Sequence, residues 1–133
     1  MKENKPKVSV IITAYNEERF IGRCLRSIAN QNFPGMEYEV IVVNDASTDK
    51  TSYALELFGD SIKVINNKKN IGLPASINKG IKAAKGDFLV RLDADDYVNV
   101  NYLNFLHYFL EVNTEYDAVA CDYFLFDNSE NWI

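Results

Sequence analysis

Histidine occurs once in this chain, at His107, and cysteine twice, at Cys24 and Cys121. One histidine cannot build a zinc cluster or a histidine-based catalytic triad. The two cysteines lie far apart in apolar surroundings, so they read as buried free thiols rather than a disulfide or a metal pair. No apolar run approaches the roughly 20 residues that span a bilayer. The start, Met1-Lys2-Glu3-Asn4-Lys5, does not resemble a signal peptide. The expected compartment is therefore cytosolic. Basic residues do not dominate either. The net charge of -5 argues against a nucleic-acid binder, which usually carries a basic face. Glycine is missing where a dinucleotide site needs it, since Thr13-Ala14-Tyr15-Asn16-Glu17-Glu18 follows the first apolar run without one. There is no P-loop ending and no nucleophile elbow. A receiver-type site is also excluded. It would need an acidic pair after the first strand and a lone acceptor Asp after the third, where Asn66-Asn67-Lys68-Lys69 stands.

What is present is a chain of 133 residues, 47% hydrophobic and 25% charged, enough for one domain with a sizeable core. Val8-Ser9-Val10-Ile11-Ile12 and Val40-Ile41-Val42-Val43 are nearly continuous β-branched runs. Strands this apolar on both faces belong in a parallel sheet covered by helices. Between them Phe20, Ile21, Cys24, Leu25 and Ile28 recur at helical spacing, predicting a helix over 18–29 that Phe33-Pro34-Gly35 ends. The alternation then repeats. A short helix runs to about Leu57, a weaker strand covers 62–65, and a helix covers 74–84. A strand follows over 88–92, then a helix over 101–112 and a last strand over 118–126. This order predicts an α/β three-layer sandwich with a mostly parallel, Rossmann-like central sheet.

Ligands of open α/β sheets bind beyond the carboxyl ends of the strands. Three strands here run into polar segments: Thr13-Ala14-Tyr15-Asn16-Glu17, Asn44-Asp45-Ala46-Ser47-Thr48-Asp49 and Asp93-Ala94-Asp95-Asp96. Each alone suits a capped turn. Together they predict a binding cleft. Asp45 can accept a hydrogen bond from a base N–H. Tyr15 can stack on a base, or simply cover the sheet end. Asp93 and Asp95 can share a hard divalent ion with two phosphates, because magnesium and manganese prefer carboxylate and phosphate oxygens.

These segments resemble the motifs of the inverting family-two glycosyltransferases of GT-A fold. Val8–Glu17 resembles the opening strand, Val42–Asp49 the second motif, Asn70–Gly80 the third, and Asp93-Ala94-Asp95-Asp96 the DXD metal motif. The resemblance covers about residues 6 to 127, with the four motifs in order. It implies a nucleotide-diphosphate sugar donor (a UDP-sugar by default), a manganese or magnesium ion, and transfer to a saccharide or other hydroxyl acceptor with inversion. It implies that Thr13 and Tyr15 hold the base and that Asp45 bonds it. Asn70 and Gly72 would shape the loop beside the nucleotide, with Ser76 or Asn78 on the next helix. Asp93 would lie near ribose and metal, and Asp95 would ligate the metal. Asp96 is the weakest member of that trio. Lys79 and Arg91 are candidate phosphate partners, although solvation suits Lys79 better. No general base can be named, since Asp122 and Asp127 read better as polar strand ends. The chain is expected to be a single GT-A domain over 1–133, truncated before its acceptor half, with an open sheet flank that could pair with another copy. A non-catalytic nucleotide-sugar-binding module is the alternative.

Overall fold

The computed structural model describes residues 5–125. Four parallel strands form one sheet in the order β3-β2-β1-β4. The elements alternate as β1 (Val8–Ala14), α1 (Ile21–Ala29), β2 (Tyr38–Asn44), α2 (Thr51–Glu56), β3 (Lys63–Asn66), α3 (Leu73–Ala83), β4 (Phe88–Asp93) and α4 (Tyr102–Val112).

The two runs that read as doubly apolar are the two central strands, and their buried side chains serve two layers. Residues alternate between sheet faces along a strand. Val8, Val10, Ile12 and Ala14 of β1, with Val40 and Val42 of β2, pack in one cluster with Ile21, Cys24, Leu25 and Ile28 of α1 and Leu103 of α4. Ile11 points the other way, toward α3. A Cβ on Gly80 would stand 2.5 Å from its Cγ2, so only glycine lets α3 lie this close to the sheet. Helices on both faces give the three expected layers.

Two expectations change. The sequence predicts a strand over 118–126, but residues 118–125 form no strand, and Phe126 lies outside the described residues. Tyr123, Phe124 and Leu125 are exposed. Apolar and aromatic composition marks strand-forming chain, but composition alone does not make the pairing: 117–121 line a cavity beside the outer strand β4 without forming a ladder with it. The second change concerns the thiols. Cys24 is fully buried, whereas Cys121 is exposed. Burial, then the charges of Asp96, Asp95 and Asp93, push the Cys24 thiol up to about 12. A thiol reagent added to the native protein is expected to label Cys121 quickly and Cys24 only on unfolding. Two fast equivalents would contradict this placement. No described helix is long and apolar enough to cross a membrane.

Candidate functional site

Strand register brings the polar segments together. Thr13 pairs with Asp93 across β1 and β4, and Ala14 pairs with Asn44 across β1 and β2. The chain leaving each strand therefore emerges beside its neighbours on one rim. Asn16 sits at φ 58° and Ala46 at φ 61°, left-handed conformations that L-residues adopt at a cost of about 1–2 kcal/mol. The turn at Asn16 is held from the neighbouring loop. Its N–H donates to Ser47 Oγ at 3.1 Å, and its Oδ1 accepts the Thr48 N–H at 2.8 Å. Glu17 N–H donates to Thr51 Oγ1 at 2.8 Å, and Glu18 N–H donates to Asp49 Oδ2 at 3.1 Å. These bonds lock the 14–18 and 44–51 segments into one wall.

Asp45 forms the floor. Only 4% of its surface is exposed. Its Oδ1 accepts the Asn67 side-chain amide at 2.7 Å and the Ile71 N–H at 2.9 Å. Its Oδ2 accepts the Gly72 N–H at 2.9 Å. Burial raises its pKa, but bonds from Ile71, Asn67, Gly72 and Ser76 outweigh burial and hold the carboxyl below its ordinary value. Gly72 adopts φ 84°, which suits glycine, and its N–H also reaches Asn70 Oδ1 at 3.0 Å. Asn70, Gly72 and Asp45 thus form one unit. Lys79 is exposed, and its ammonium donates to Asn67 Oδ1 at 2.6 Å.

Across the rim lies a group of carboxylates. Burial raises the Glu17 pKa, and the charges of Asp95, Asp49 and Asp93 raise it further. Burial likewise raises Asp96, with Asp95 and Asp93 adding to it. Asp93 is paired with Arg91, at 2.5 Å from its Nη2. The turn carrying these groups is fastened to α1. Arg23 lies 4.4 Å from the Tyr97 ring centroid and donates to the Asp95 carbonyl at 3.2 Å. Cys24 Sγ approaches the Asp93 carbonyl at 3.5 Å.

Thr13, Asp45, Asp93 and Asp95 therefore stand on one rim, with Tyr15 47% exposed above the end of β1. Asn78 is exposed on α3 and enters none of the Asp45 bonds, whereas the fully buried Ser76 does. Asp122 is exposed, and Asp127 lies outside the described residues. Asn16, Glu17 and Asp49 belong to the polar strand ends that the sequence marks, without an individual role, whereas Asn67 lies outside those segments.

The model of the family described as "Glycosyl transferase family 2" matches residues 9–132. The chain belongs to that family. An uncharacterised glycosyltransferase of Haemophilus influenzae is 39% identical over 121 residues, covering 89% of this chain and 37% of the relative. The structure is similar to that of Staphylococcus aureus TarS 1-349 in complex with UDP-GlcNAc (TM-score 0.75, 38% identity, 81% of this chain and 32% of that one). It is also similar to the mannosyltransferase PcManGT from Pyrobaculum calidifontis in complex with GDP-Man and Mn2+ (TM-score 0.74, 28% identity, 80% of this chain and 32% of that one). The chain thus spans about a third of the length of these proteins.

Proposed function

We propose that this rim binds a nucleotide-diphosphate sugar together with a manganese or magnesium ion, as the donor half of an inverting GT-A glycosyltransferase. The observation that carries the reading is the convergence of the Asp45 network and the carboxylate group on adjoining strand ends, within a chain matched along nearly its whole length by one glycosyltransferase family. The relatives' names and the nucleotide sugars in TarS and PcManGT support it.

In this reading Asp45 accepts a base N–H, Thr13 and Tyr15 flank the base, and the Asn70–Gly72 loop lies beside the nucleotide with Asn78 on the helix after it. The donor set suits an ion shared with substrate. Among the described residues no three His, Cys, Asp or Glu side chains could hold an ion by themselves. Hard divalent ions commonly use one or two carboxylates and complete their shell with phosphate and water. Asp93 and Asp95 would supply those carboxylates. When bound, the ion neutralises charge developing on the leaving diphosphate. Arg91 restrains Asp93, and Arg23 restrains the backbone of Asp95. A saccharide or other hydroxyl is the acceptor class, and no described residue is assigned as its base. The single-domain reading rests on the same family match, and an acceptor half outside this chain on its spanning about a third of its relatives' length. The exposed free Cys121 supports a reducing, cytosolic setting.

The test is thermal. UDP or GDP with manganese at 100 times its dissociation constant is expected to stabilise by about 2.7 kcal/mol. For a domain of this size that raises the melting temperature by roughly 5–10 °C. No shift with any nucleoside diphosphate would overturn the reading. Manganese-dependent donor hydrolysis above background supports the enzyme, and its absence beside tight binding supports the non-catalytic module.

A further inference from the structure

The hydrogen-bond chain behind Asp45 has a defined polarity. A lysine ammonium has three donors and no acceptor. Lys79 Nζ lies 2.6 Å from Asn67 Oδ1, so the oxygen of that amide faces the ammonium and its NH2 faces the other way. There the NH2 donates to Asp45 Oδ1 at 2.7 Å and to Ser76 Oγ at 3.0 Å. Asn67 is 7% exposed and Ser76 fully buried, so the amide has little access to water. Turning the amide over would set its oxygen against the Asp45 carboxylate and its NH2 against a cation. The lysine thus fixes an amide, and the amide fixes a carboxylate that also holds the backbone of Ile71 and Gly72.

We propose that Lys79 and Asn67 are positioning residues for the nucleobase, presenting Asp45 as an oriented hydrogen-bond acceptor that selects bases with a ring N–H on their pairing edge. This rests on the nucleotide reading given above. Uracil and guanine have such an N–H. Cytosine and adenine present a bare ring nitrogen there, so they reach the carboxylate only through the neighbouring amino group, in a shifted pose. Asn67 and Ile71 on Oδ1, Gly72 on Oδ2 and the Ser76 hydroxyl together hold the carboxylate, and a remaining lone pair serves the base. Specificity is a difference of affinities, so the network acts on that difference rather than on binding as a whole.

The experiment measures dissociation constants of UDP, GDP, CDP and ADP with manganese, and of inorganic pyrophosphate with manganese, for the wild type, Lys79→Met and Asn67→Ala. Lys79 is exposed, so its variant keeps the core, and the melting temperature checks each protein. The preferred diphosphate, UDP or GDP, is expected to bind about threefold to tenfold more weakly to Lys79→Met, the scale of one hydrogen bond. CDP, ADP and pyrophosphate should change less than about twofold, so discrimination between bases collapses. Asn67→Ala should act in the same direction. Equal weakening of every ligand, pyrophosphate included, would make Lys79 a phosphate contact and overturn the inference. Unchanged discrimination in both variants would also overturn it. A wild type that binds none of the nucleotides would overturn the nucleotide reading itself, and this inference with it.

Discussion

Asp45→Ala is expected to lower the melting temperature by roughly 10 °C and to weaken nucleotide binding with or without metal. The stability loss follows from who loses a partner. Gly72 N–H keeps Asn70 Oδ1, and the Asn67 amide keeps Ser76 Oγ. The Ile71 N–H and the buried Ser76 hydroxyl are left without that acceptor. Two orphaned donors and the weakening of two further bonds cost about 3 kcal/mol. The sign of the pH dependence is fixed by the lowered pKa of Asp45. A carboxyl lowered by folding stabilises fully above its ordinary value of 3.8, and the contribution disappears as pH falls through the lower folded value. The gap between wild type and variant should therefore be constant near neutrality and close only in strong acid. Denaturant melts from pH 7 to below pH 3 check this. A gap that closes between pH 7 and 5 would contradict the assignment.

Asp95→Asn is expected to abolish the metal dependence of nucleotide binding without unfolding the protein. In manganese its affinity should fall at least about tenfold, to the value seen in chelator. Stability should not fall with it. Glu17 titrates high through burial and then through the charge of Asp95, so the folded state loses stability as pH rises between the ordinary 4.5 and the raised value. Removing the Asp95 charge relieves part of that loss. The variant should thus melt at or above the wild-type temperature at pH 7. Retained manganese dependence would remove Asp95 from the metal site.

The central strands were legible because Val10, Ile12, Val40 and Val42 lie under helices, and no other setting tolerates such runs. Helix α1 was legible from Ile21, Cys24, Leu25 and Ile28, although it starts at Ile21 rather than Glu18, because residues 17–20 form the turn that Thr51 holds. The rim was legible as three polar strand ends. What escaped was their wiring. Local spacing cannot show that Asn67, 22 positions after Asp45, turns its amide into that carboxylate, or that the exposed Lys79 on α3 reaches the oxygen of that amide. The segment 118–125 forms no strand although the outer strand β4 lies beside it, because strand-like composition alone does not dictate pairing.

The claim beneath all of this is spatial, and paramagnetic broadening of backbone amides by manganese in the presence of UDP tests it most directly. Amides of residues 14–17, 45–49 and 93–96 should broaden first, while those of the exposed residues Phe105 and Tyr108 on α4 stay sharp. Broadening centred on α4 or β3, with the strand-end segments unaffected, would contradict the account.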